Sequence, residues 1–244
     1  MSKTSGLGDH LLAGGYLVGT DIRDVAVSGG NSPLDVTDIT QSAHSRLGGL
    51  RDGKMSLTSY HDTAAGLEHT AFSSLPRTDV ILTYLRGQVI GNPAAALNAK
   101  QVNYDPTRAN SGELTFKIEA EGSGYGLEWG EALTAGTRTD TTATTGAFYD
   151  DTAATSFGGQ AYFHLTAFSG TSVTIDIQSA TTSGGSYSST GLTTTAMNAI
   201  GAQRLATANN VTINRYLKVV TTGTFSNAVF AVVFVRNQTA GQVF

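Results

Sequence analysis

The sequence predicts a mainly β protein built in two parts, and three observations carry that expectation. Only 14% of the 244 residues are charged, while glycine occurs 29 times. Typical soluble domains carry about 25% charged residues, and a Thr-, Val- and Gly-rich chain favours short strands and tight turns. Apolar and polar residues alternate with period two in several segments. The composition also changes near residue 135.

The clearest alternation is Leu114, Phe116, Ile118 and Ala120 against Thr115, Lys117, Glu119 and Glu121, the pattern of a half-buried strand. Lys54 to Tyr60 places Met55, Leu57 and Ser59 on one face. Asp79 to Arg86 and Ala94 to Tyr104 read as strands, and Tyr16 to Ser28 as strand material broken by charge. Two short helices are expected. Thr37 to Leu47 has Thr37 or Asp38 as a cap and Gly48-Gly49 as a stop. Ala64 to Leu75 places Leu67, Ala71 and Leu75 on one helical face and ends at Pro76.

The second part reads as strands throughout. Phe163, Leu165 and Ala167 alternate with polar neighbours, as do Val173, Ile175 and Ile177. Val229 to Val235 is apolar on both faces, as a strand covered on each side should be. Turns at Ser169-Gly170, Ser183-Gly184-Gly185 and Thr222-Gly223 separate these runs, and their spacing predicts a β-sandwich. Charge divides the same way. Residues 1–134 hold ten Lys and Arg against fifteen Asp and Glu, a net of −5. Residues from 135 on hold five against four, a net of +1. The expected organisation is residues 1–134, a small polar linker at 135–140, and residues 141–244.

Several chemistries are excluded or unsupported. Cysteine is absent, which removes disulfides, thiolate metal sites and a Cys nucleophile. The net charge of −4 gives no basic patch for nucleic acid. No apolar run reaches the length of a membrane span, and Met1–Gly6 has no secretory character. His61-Asp62 with Glu68 and His69 lacks the helical spacing of a zinc pair. Gly122-Ser123-Gly124-Tyr125-Gly126 reads as a glycine turn, since Glu128 and Glu131 follow where a helix should open onto an anion. Glu119 and Glu121 lie on one strand face beside Lys117, which suits a solvated face better than a hydrolase pair. Asp150-Asp151 alone makes no cation cage. No enzyme activity and no cofactor are expected.

The stretches Leu34-Asp35-Val36-Thr37 and Arg46-Leu47-Gly48-Gly49-Leu50-Arg51-Asp52-Gly53-Lys54-Met55-Ser56-Leu57, then Tyr60-His61-Asp62 and Tyr104-Asp105-Pro106, resemble a pattern in the tail tube (major tail) proteins of long-tailed, siphovirus-type bacteriophages. The strand Leu114 to Glu121 fits the same family's middle region. The second part is similar to the C-terminal domain added to some of these proteins, at Gly158 to Tyr162, Val173 to Gln178, Asn214 to Lys218 and Phe234-Val235-Arg236. The segment before the Gly-Leu-Arg-Asp turn departs from the family by being small and polar.

The resemblance implies a tail-tube fold of two packed antiparallel sheets with one or two short helices, plus a C-terminal β-sandwich decoration domain. It implies hexameric rings stacked into a tube that delivers the genome, with tape measure and tail terminator or tip proteins as partners. Double-stranded DNA passes without specific binding, and no membrane is involved. The protein is then a virion component assembled in the host bacterial cytoplasm. The long glycine-bearing segment outside the strand runs is the expected contact between rings, with Gly29, Gly30, Asn31, Pro33, Asp35, Arg46, Arg51 and Asp52. Glu119 and Glu121 are the expected lumen-facing residues, because an acidic wall does not hold phosphates. A carbohydrate-binding adhesin or a capsid or tail decoration protein is the alternative, carried by Tyr149, Phe157, Tyr162 and Tyr187.

Overall fold

A computed structural model describes residues 5–75 and 77–240. Its elements run β1 (His10–Ala13), β2 (Tyr16–Leu17), β3 (Ile22–Asp35), β4 (Arg46–Tyr60), α1 (Glu68–Phe72), β5 (Val80–Leu85), β6 (Pro93–Arg108), β7 (Leu114–Gly122), β8 (Glu128–Ala132), β9 (Arg138–Asp140), β10 (Thr145–Asp150), β11 (Gly159–Ala180), β12 (Ser188–Thr193), β13 (Gly201–Ala206) and β14 (Tyr216–Arg236). The protein is mainly β, as its alternating pattern requires, and all the pairings are antiparallel.

Strand β6 organises the first part. Its C-terminal half pairs with β7, which pairs with β4, which pairs with β3. Its N-terminal half lies between β5 and β8, and β5 continues to β1 and β2. The period-two alternation sends Ala95, Leu97 and Ala99 into one core, with Met55, Leu57, Ile118, Ala120, Leu11 and Leu82. Ala94 and Ala96 enter a second core with Leu12, Ile81 and Leu85 of the first part and Tyr162, Ala231, Val233 and Val235 of the second. Small alanines on β6 let layers approach from both faces.

Strands β11 and β14 pair over almost their whole lengths. The separate strands expected around 162–167 and 173–178 are one strand, bent at register shifts around Gly170. Gly170 and Gly223 both hold positive φ there, and a Cβ on Gly223 would lie 2.3 Å from the Ser172 carbonyl oxygen. The bend folds both ends of the pair onto one core: Phe163 and Leu165 meet Val173, Ile175, Leu217, Phe230 and Val232. The apolar run Val229–Val235 lies within β14, which has β11 on one side and β8 and β9 on the other.

Three local expectations are corrected. Residues 37–47 form no helix. Asp35 and Asp38 accept hydrogen bonds from the backbone N–H groups of Thr37 and Thr40, at 3.0 and 2.8 Å, and such local turns compete with helix. The second helix shortens to Glu68–Phe72, since Gly66 and Leu75 adopt positive φ on either side. Within 135–140, Arg138–Asp140 is a strand paired with β14. There Arg138 donates to Asp140 at 2.5 and 2.9 Å and to the Val219 carbonyl at 2.8 Å.

Candidate assembly surfaces

The residues expected in a ring-contact loop are not in a loop. Gly29, Gly30, Asn31, Pro33 and Asp35 lie on β3, and Arg46, Arg51 and Asp52 lie on β4 opposite them. Gly30 pairs with Asp52, Asn31 with Arg51 and Asp35 with Arg46. The missed signal was the apolar and glycine spacing on both sides of 36–45, which reads as a long hairpin once the strands are known to pair. Past Lys54, β4 runs beyond the end of β7, whose last partner on β4 is Lys54 through Glu121. The two strands then continue as a free arm, roughly 20 Å at the usual strand rise.

The arm's base is fixed by close packing. A Cβ on Gly29 would lie 2.6 Å from Leu127 Cβ, and one on Gly53 would lie 2.6 Å from Leu97 Cδ1 and 2.7 Å from the Leu127 nitrogen. The tip is ordered by its own polar groups. Asp35 pairs with His44 at 2.9 Å, Thr37 Oγ1 accepts from the Ser45 N–H at 2.9 Å, and Val36 N–H reaches the Ser45 carbonyl. Hydrogen bonds from Thr37 and Thr40 hold the Asp35 and Asp38 carboxyls below their ordinary pKa. Between base and tip, Leu34, Leu47 and Leu50 are exposed, as are Val36 and the fully exposed Ile39. Five large apolar side chains on one projecting element, supported by a self-bonded tip, are what an interaction surface requires.

Glu119 and Glu121 do lie on the polar face of β7, but they do not stand alone. Register places Lys54, Glu121 and Lys100 in one row and Ser56, Glu119 and Asn103 in the next. Glu119 is paired with Lys117 at 2.7 Å and Lys54 at 3.2 Å, and these lysines lower its pKa. Glu121 is 3.8 Å from Lys54. The face is of mixed sign.

The other motifs resolve into structural roles. His61 and His69 come together, with ring centroids 5.2 Å apart and nearly perpendicular, beside the fully buried Glu68. His69 Nδ1 is 2.9 Å from the Tyr104 hydroxyl, whose pKa burial and Glu68 push up. Among the described residues no group of three His, Asp or Glu is arranged for a metal ion. Asp150 and Asp151 serve different arginines: Asp150 takes a forked pair from Arg215 at 2.5 and 2.7 Å, which holds its pKa down to about 2, while Asp151 binds Arg236. Gly122–Gly126 is a turn between β7 and β8, with Gly124 at positive φ. Tyr162 is fully buried and so presents no ring to a ligand, and Tyr149 donates to Glu131 at 2.7 Å.

Comparison with known proteins adds a likeness of fold. No protein-family model matches the chain, and no curated protein matches it. Among solved structures it is similar to a chain of the virion of a native gene transfer agent particle, at 15% identity and a TM-score of 0.43 over 52% of this chain and 98% of that one. It is also similar to a chain from the tail of an empty gene transfer agent particle with C6 symmetry, at 15% identity and a TM-score of 0.38 over 45% and 81%. The Dit protein of phage SPP1, described as a hub adsorption apparatus of phages infecting Gram-positive hosts, overlaps 93% of this chain and 99% of its own at 8% identity and a TM-score of 0.34. At these scores the functional reading rests on the chain's own residues.

Proposed function

We propose that the chain is a non-enzymatic structural subunit of a long-tailed phage virion, and that its copies assemble through the β3–β4 arm into rings stacked as a tail tube. The observation that carries this reading is the arm itself, a stiff hairpin with Leu34, Val36, Ile39, Leu47 and Leu50 held in solvent. The sequence patterns resembling tail tube proteins cluster on that same element, at Leu34–Thr37 and Arg46–Leu57. A head-to-tail contact of this kind grows as an open filament.

In this reading residues 1–134 build the ring and its lumen, and residues 141–244 decorate its outside. A hexameric ring, the tape measure and terminator partners and passage of double-stranded DNA follow from the same resemblance. The mixed-sign face of β4, β7 and β6 suits DNA passage, because lysines locked to Glu119, Glu121 and Asp79 are not available as a phosphate-binding stripe. Negative-stain microscopy of the purified protein tests the proposal. Rings or tubes are expected, and a monodisperse monomer at every concentration sinks it.

A further inference from the structure

The chain's single tryptophan is half exposed, and the reason lies in strand β8. Gly130 is pressed against β14: a Cβ there would lie 2.2 Å from the Phe234 carbonyl oxygen. Alternation then puts Trp129 and Glu131 together on the other face. Trp129 and Pro93 form a ridge between two clefts, of about 390 Å³ and about 400 Å³.

Each cleft contains one Arg–Asp ion pair. On one side Arg236 donates from Nε to Asp151 at 2.5 Å, and both side chains are about nine-tenths buried. On the other side Arg86 Nε is 3.2 Å from Asp9. The loop carrying Asp151 is held by Thr152 at φ 58°, a conformation costly for a β-branched residue and maintained only by its surroundings. The first cleft also holds the Glu131 carboxyl, which accepts from the Tyr149 hydroxyl at 2.7 Å, so it carries two carboxyls against one guanidinium and disfavours an anion. Carboxyl, amide and guanidinium groups line the two sides of the indole. This lining suits a ligand with an apolar face for the indole and many hydroxyls for the two flanks.

We propose that Trp129 and the two clefts beside it form a binding site for a neutral oligosaccharide, with one pyranose ring stacked on the indole and its neighbours reaching Glu131 and Arg236 on one side and Asn92 and Arg86 on the other. The proposal does not depend on the tail-tube reading, and microscopy and sugar binding fail separately.

The test uses the full chain and three probes, cellotetraose, maltotetraose and chitotetraose, each raised to about 10 mM, a range that covers weak single-site affinities. The lone tryptophan makes intrinsic fluorescence a reporter of this position alone. A saturable blue shift with at least one probe is expected. Trp129→Ala, followed by saturation-transfer NMR, should lose at least about tenfold in affinity. Trp129→Thr, which an exposed strand position tolerates, should lose as much and serves if the alanine variant does not fold. No saturable change with any probe overturns the proposal, as does undiminished binding by a folded Trp129 variant. An emission shift that follows protein concentration and ignores sugar also overturns it, and assigns the ridge to a contact between copies.

Discussion

Thr83 Oγ1 and His164 Nε2 lie 2.8 Å apart, both side chains fully buried, and this bond ties β5 of the first part to β11 of the second. Burial pushes the His164 pKa down to about 3, so the ring is neutral in the folded state. The unfolded ring titrates near 6.5. The unfolded state therefore binds more protons between these values, and the His164 contribution to stability is complete above about pH 6.5 and is lost as pH falls toward 3, at up to about 1.4 kcal/mol per pH unit. Urea unfolding at pH 7.5 and 4.5 should show this loss. The double variant Thr83→Val/His164→Leu removes both polar partners together and should show a shallower pH dependence. Equal slopes would refute the assignment.

A second link between the parts is ionic. Arg204 Nη2 donates to Glu128 at 2.7 Å and Arg204 Nε to the Tyr162 hydroxyl at 3.0 Å, while that hydroxyl donates to Glu128 at 2.5 Å. The Glu128 side chain is fully buried. Arg204→Leu leaves that carboxylate without its cation and should cost about 3–5 kcal/mol in chemical denaturation. Glu128→Gln combined with Arg204→Leu should cost clearly less. A double variant as unstable as the single one would mean that the arginine acts by packing against Tyr125, whose ring centroid is 3.6 Å away.

The arm's base and shaft should respond differently to one methyl group. Gly53→Ala meets Leu97 and the Leu127 backbone and should destabilise by about 1–3 kcal/mol. Gly30→Ala meets nothing within 4 Å and should be neutral or slightly stabilising. Thermal melts of the two variants give the comparison, and similar losses would contradict the packing described at the base.

Replacing Ser32–Leu50 with an Asn-Gly turn joins the paired residues Asn31 and Arg51 by a two-residue hairpin loop. The removed residues are largely exposed, so the thermal midpoint should change little. Assembly into rings or tubes should stop. Tubes of normal appearance from this variant would refute the arm's role.

Charge reversal separates the two acids of β7. Glu119→Lys sets a third lysine between Lys54 and Lys117 and should lower the thermal midpoint by a few degrees at low salt, less at high salt. Glu121→Lys, more exposed and 3.8 Å from Lys54 alone, should be milder. Equal midpoints would show that the ion pairs contribute nothing measurable.

The sequence by itself determined the β class, the facing of Met55, Leu57 and Ser59, the alternation of β7, and the doubly covered run in β14. Each depends only on the period of side chains along one strand, which is local. Tertiary structure decided the rest. Residues 37–47 carry capping and stop signals for a helix, yet their aspartates satisfy nearby backbone N–H groups and no apolar stripe draws a helix onto the core. The arm became visible only when β3 and β4 paired across the 36–45 connection. The same is true of the site residues: Glu119 acquired Lys54 from β4, and Trp129 its clefts from the loop after β10, from β14 and from Ser5, Leu7 and Asp9. Contacts between strands distant in sequence depend on which edges meet, and period-two patterning leaves that choice open.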